Sequence, residues 1–202
     1  FMGYTRELTE QENAFCQVLG GLVMFWNHVE TTMRLLCHAT ARDGASPTIG
    51  DKLDILITNL GNVALAETLT AMADEFNEPM HSHLNHCSKL FDASRIYRNH
   101  YVHTPITFHT RGEDSVAFAQ QTSAKGGALR LYQGTIKREE LETFHDHLSA
   151  LNSYISSLLS EMVDFPGRPL FASLEKPPLP DKLELKRLRL IEHKRQLRSF
   201  EA

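Results

Sequence analysis

Long apolar runs, paired cysteines and an excess of positive charge are all missing from this 202-residue chain. The three cysteines, Cys16, Cys37 and Cys87, are widely spaced and odd in number, with no C-x-x-C pair. That pattern excludes a disulfide framework and a zinc ribbon, and leads us to expect reduced thiols in a cytoplasmic protein. No apolar stretch approaches a membrane span, and the first residues lack the basic-then-apolar pattern of an export signal. Met2, preceded by Phe1, is read as the native start. The formal net charge of −4 argues against polyanion binding by the surface as a whole, while a local basic patch stays open. Repeats, low-complexity tracts and a G-x-S-x-G nucleophile motif are absent. Lys125-Gly126-Gly127 lacks the Lys-Ser/Thr and helix of a phosphate loop, and reads as a hairpin turn. What remains is ordinary globular usage, 42% apolar and 23% charged. One domain or two small ones are expected at this length.

Helical periodicity dominates what is there. Thr9 and Glu12 have the spacing of a capping box. Behind them Phe15, Val18, Leu19, Leu22, Trp26, Val29, Met33 and Leu36 recur at three- and four-residue steps, predicting one helix to about residue 40. Gly20 and Gly21 within it either weaken the helix or admit another backbone closely. After a loop at 42–47, the pattern predicts a second helix ending at Leu60 and a third over 64–76. A fourth begins with Pro79 in its first turn and runs toward Val102, where Thr104-Pro105 stops it. Ile106–Phe108, Val116–Phe118 and Leu129–Tyr132 change to strand-like composition and predict two or three short strands forming a hairpin. From about Lys137, Leu141, Phe144, Leu148, Leu151, Ile155, Leu158 and Met162 predict a last amphipathic helix ending by Phe165. The expected fold is mainly α: a four- to five-helix bundle with a small β-hairpin insert before the last core helix.

Composition shifts at Pro166. Five prolines between Pro166 and Pro180 predict an extended connector. Lys182 to Arg198 then carries seven basic residues against two acidic ones, a net +5 that leaves about −9 elsewhere. We therefore divide the chain into a helical domain at 1–165 and a proline-rich linker with a basic arm at 166–202. The arm is read either as a solvated or partner-docked helix or as an RNA contact. It lacks the interleaved aromatics of a base-stacking platform.

Among residues able to carry chemistry, Arg98-Asn99-His100-Tyr101-Val102-His103 stands out. Arg98 falls within the apolar arc of the fourth helix, and a guanidinium there needs a carboxylate, an interface or an anion. Asn99 and His103 are one turn apart on the same flank. A fixed cation beside an imidazole and an amide suits phosphate chemistry, because His moves protons near neutrality and Arg holds charge developing on phosphorus. A purely structural alternative pairs Arg98 with Glu30 of the first helix. His81, His83, His86 and Cys87 form a second, weaker cluster. It has no further ligand pair at recognisable spacing, so no metal is assigned, and a metal-dependent hydrolase remains a third reading. His145 and His147 point nearly opposite ways on their helix. Cys87 reads as a buried inert thiol.

The Arg98-Asn99-x-x-x-His103 stretch resembles the R-x4–6-H motif of the HEPN superfamily, with the polar residue directly after the arginine. A long first helix with Glu30 in its body and a final amphipathic helix also fit, so the likeness covers roughly residues 8–165. The resemblance implies a helical homodimer whose two motifs face each other across a shared cleft. It also implies metal-independent endoribonuclease or RNA-binding activity in a defence or toxin–antitoxin setting, without cofactor and with an antitoxin or other protein as a further partner. Arg98 would stabilise the phosphorane-like charge, His103 would be the general acid or base, and Asn99 would orient the phosphate or His103. Glu30 would play a supporting part. His100 has no matched role and is expected to face solvent. The rival from a different class is a non-catalytic helical dimer that binds a nucleotide or a protein.

Overall fold

The computed structural model describes residues 7–42, 47–111, 114–125, 128–163, 174–180 and 189–191. Met2, the two hairpin tips, most of the proline connector and most of the basic arm lie outside them. In chain order the elements are α1 (Glu10–Arg42), α2 (Pro47–Thr58), α3 (Asn62–Ala73), α4 (Met80–Val102), β1 (Ile106–Arg111), β2 (Asp114–Lys125), β3 (Ala128–Ile136), α5 (Arg138–Val163) and β4 (Arg189–Ile191). The fold is mainly helical with a small antiparallel sheet inserted before the last core helix, as the periodicity implies. Among the described residues no helix is long and apolar enough to cross a membrane.

These elements form two compact units, one of Phe1–Gly21, Asn99–Glu142 and Lys182–Ala202, the other of Leu22–Arg98 and Thr143–Asp181. The partition therefore passes through α1, α4 and α5.

In the sheet-bearing unit the capping box forms as expected. The Thr9 amide donates to Glu12 Oε2 at 2.9 Å and the Glu12 amide donates to Thr9 Oγ1 at 3.3 Å. Glu12 is fully buried, and its other oxygen accepts from the Ser115 hydroxyl at 3.1 Å, tying the first turn of α1 to β2. Gln11 Oε1 accepts from the Ser115 amide beside it. Phe15 packs edge-on against Phe108 of β1, with ring centroids 5.6 Å apart. The strands are longer than the sequence signals: β1 and β2 close at Arg111↔Asp114, and β2 and β3 at Lys125↔Ala128. The basic arm supplies β4, which pairs with β3 at Leu131↔Ile191 through Gln133↔Arg189. This stretch is a strand where composition pointed to a helix, because β3 offers it unpaired backbone groups. Among the described residues, a Cβ added at Gly20 or Gly21 would meet nothing within 4 Å.

The helical unit carries the larger apolar core. Trp26, Val29, Met33 and Leu36 of α1 are fully buried, as are Leu65 and Leu69 of α3, and Leu84 and Phe91 of α4. Leu148, Ile155 and Leu158 of α5 are likewise closed to solvent. The Trp26 indole stacks on Phe91 at 5.2 Å with an interplanar angle of 24°, and Tyr97 lies 5.8 Å from Phe144. The Ser88 hydroxyl donates to the Ala66 carbonyl and accepts from Thr70 at 2.8 Å, joining α3 and α4 through a satisfied polar contact. Cys37 and Cys87 are buried here and Cys16 is exposed in the other unit. Burial pushes the Cys37 thiol up to about 12 against a small opposing effect of Arg34, and pushes Cys87 up as well. Since the thiolate is the reactive form, a thiol reagent at pH 8 is expected to label Cys16 alone in the native protein. All three cysteines should react in denaturant. Native labelling of Cys37 or Cys87 at the rate of Cys16 would contradict this burial.

Candidate functional site

The end of α4 is where the sequence places its chemistry. Arg98 and Asn99 occupy the last full turn of the helix, and both are half-buried. His103 lies one residue past the helix end and is exposed, while its amide still donates to the Asn99 carbonyl at 3.2 Å. That bond carries the helical geometry over one further residue before Thr104-Pro105 ends it, and it keeps Asn99 and His103 one turn apart. All three residues are engaged in polar or ring contacts. The boundary between the two units falls between Arg98 and Asn99.

His100 departs from its expected solvent-facing role. It is half-buried and sits 5.2 Å from the Tyr101 ring, and burial lowers its pKa against an opposing influence of Glu140. Near neutrality this imidazole is therefore uncharged. The neighbouring Tyr101 is almost wholly enclosed. Glu30 is also placed differently from the alternative that paired it with Arg98. Its carboxylate accepts from Arg34 Nη2 at 2.7 Å, one turn along α1. The i,i+4 spacing within one helix makes Arg34 the nearer cation.

The histidines early in α4 separate onto different partners. His81 Nδ1 lies 3.0 Å from the Ala73 carbonyl, and His83 Nδ1 lies 2.8 Å from the Tyr154 hydroxyl. His86 Nε2 lies 2.7 Å from the Pro177 carbonyl. The three rings make different polar contacts, although His83 and His86 both border the Tyr154 ring, and no group of three or more His, Cys, Asp or Glu among the described residues is arranged to hold a metal ion. His81, His83 and His86 are thus not gathered as one ligand set.

His145 and His147 diverge as their spacing requires. His145 is exposed and lies 5.0 Å from the Phe25 ring, whereas His147 is half-buried with Nε2 enclosed and without a hydrogen-bond partner among the described residues. Burial lowers the His147 pKa. A histidine depressed in this way binds fewer protons folded than unfolded once the pH drops below the ordinary value of 6.5. Both His100 and His147 therefore add to a loss of stability on acidification from about pH 7 toward pH 5. The thermal midpoint is expected to fall over that range, and to fall less in His147→Gln. An unchanged slope in that variant would remove His147 from the account.

Two features escaped the sequence. The sheet-bearing unit holds a cavity of about 370 Å³, lined among others by Glu12, Phe15, Phe108, Ser115, Thr135 and Lys137. Its one buried carboxylate is already hydrogen-bonded to Thr9 and Ser115, so the lining is mostly apolar wall. Arg98, Asn99 and His103 are not part of it. In the helical unit, His38 and Arg42 of α1 converge on Asp54 of α2. The spacing Arg34-x3-His38-x3-Arg42 marks one flank of α1 and was legible. The carboxylate that organises it was not, because it comes from another helix.

No protein-family model matches the chain, and neither a curated protein nor a solved structure matches it.

Proposed function

We propose that the chain is a HEPN-like, metal-independent endoribonuclease that works as a homodimer, with Arg98, Asn99 and His103 as its site. The observation that carries this reading is the end of α4. An exposed imidazole and a half-buried amide stand one turn apart there, directly after a half-buried guanidinium. In the reaction so proposed, the 2′-hydroxyl of a ribose attacks the adjacent phosphorus. His103 moves the proton as general base or acid, and Arg98 meets the charge that builds on the phosphoryl oxygens. Asn99 orients the phosphate or the imidazole. The products are a 2′,3′-cyclic phosphate and a 5′-hydroxyl. No step calls for a metal ion.

The test is incubation of the purified full chain with mixed RNA in EDTA, followed by analysis of product ends and of the oligomeric state. Cyclic phosphate ends formed without divalent cations support the proposal. Intact RNA, or cleavage that stops in EDTA, overturns it.

A further inference from the structure

In the sheet-bearing unit, Phe108 of β1 pairs with Ala117 of β2, and Ala117 pairs with Ile136 of β3. Directly opposed residues point to one face of a sheet, so these three side chains stand in a line across three strands. The middle one is the smallest, which leaves a trough between a phenyl ring and an isoleucine. Ser115, two residues before Ala117, belongs to the same face. Towards that face α1 turns Glu12, bound to the Ser115 hydroxyl, and Phe15, edge-on to Phe108. The trough is part of the cavity of about 370 Å³, which falls within the size range of small-molecule pockets.

The two ends of this cavity differ. Glu12, Phe15, Ala117 and Ile136 are buried, whereas Gln11, Lys137 and Arg138 at the rim are exposed. The Glu12 carboxylate accepts from the Thr9 amide and the Ser115 hydroxyl, so the enclosed part is apolar wall beside one hydrogen-bonded acid. At the rim Arg138 donates to Glu142 one turn along α5, and Glu139 has a contact of its own. Lys137 makes no ion pair among the described residues. Gln11 Oε1 accepts from the Ser115 amide at 3.1 Å, which leaves the Nε2 hydrogens of that side chain at the rim. Because Ile136 opposes Ala117, Lys137 directly after it comes to the same end of the row as Ser115 and Gln11. The open end thus offers an amide donor and an ammonium, and the closed end offers aromatic and aliphatic walls. An anionic head on an apolar body matches that gradient. A cationic head at the rim would meet Lys137, and a second anionic group further in would meet Glu12.

We propose that this cavity binds a small aromatic monocarboxylate. The ring lies in the trough at Ala117, between Phe108 and Ile136, and the carboxylate stays at the rim, where it accepts from Lys137 and from Gln11 Nε2. Arg98, Asn99 and His103 do not line the cavity, so the site does not depend on the reading of those residues.

The experiment is a titration of the ¹⁵N-labelled full chain with phenylacetate, reading the backbone amides of Ser115, Ala117 and Lys137 and the side-chain amide of Gln11. Phenethyl alcohol, phenethylamine and phenylsuccinate serve as neutral, cationic and dianionic counterparts carrying the same ring. Phenylacetate is expected to give saturable shifts centred on these positions and to bind more tightly than the other three. Lys137→Gln should bind it about fivefold more weakly and lose the preference over phenethyl alcohol. Ala117→Leu should fill the trough and abolish binding. Lys137 is exposed, so its variant keeps the test open even if Ala117→Leu does not fold. No saturation of the wild-type chain by about 10 mM phenylacetate overturns the proposal. So does binding of any counterpart as tight as that of phenylacetate, or unchanged affinity in Lys137→Gln.

Discussion

Replacing His103 with alanine is expected to lower RNA cleavage by about 10²–10⁴-fold in a protein that still folds. The size follows from losing the group that moves the proton in the proposed reaction. Folding should persist because His103 is exposed and its helix-continuing hydrogen bond is made by the backbone. Arg98→Ala is expected to cost about 10²–10³-fold, the range for removing one donor to a developing oxyanion. Arg98 is half-buried, so Arg98→Lys accompanies it, keeping the charge and most of the stem while removing the planar fork. The measurement is the rate at which cyclic phosphate ends form at fixed protein concentration, beside a melting curve for each variant. Wild-type rates in folded His103→Ala would remove this residue from the mechanism.

The second large effect concerns stability. Phe91→Ala is expected to destabilise the protein by about 3–5 kcal/mol, the range for emptying a buried aromatic site. Phe91 is closed to solvent and stacks on Trp26, itself closed to solvent, at the centre of the helical unit. Leu84, Met33 and Leu36 are closed to solvent as well, and a close-packed core relaxes only partly into such a space. The chain has a single tryptophan, so urea unfolding followed by Trp26 emission reads this core directly. The emission maximum of the folded variant should also move to the red as water approaches the indole. Ile96→Ala, on the same helix but 47% exposed, is the control and should stay within about 0.5 kcal/mol of wild type. Equal losses in the two variants would contradict the core placed at Trp26 and Phe91.

Much of this architecture was legible along the chain. Thr9 and Glu12 announced the start of α1, and the two side chains cap each other across three residues. The apolar stripe from Phe15 to Leu36 supplies much of the buried face of that helix, and Leu141 to Leu158 does the same for α5. Thr104-Pro105 marked where α4 stops. These signals are local: a cap spans three residues, a helical repeat spans four, and proline restricts the residue before it. Local physics needs no knowledge of what the element will meet.

Partner choice was another matter. His83 finds Tyr154 across 71 residues and His86 finds Pro177 across 91, which dissolves a histidine cluster that spacing alone had drawn together. Glu30 pairs with Arg34, and Asp54 reaches back 16 residues to His38 and collects Arg42 as well. The arm read as a helix contributes β4, because an edge strand of the sheet can accept it. His100 is withdrawn from solvent beside Tyr101. By itself, the sequence determined which core segments are helices, their ends to within a turn, and that Arg98, Asn99 and His103 gather where one of them stops. Only the tertiary structure decided which carboxylate meets which cation and which imidazoles stay neutral, since those depend on burial and on groups that chain folding brings together from distant segments.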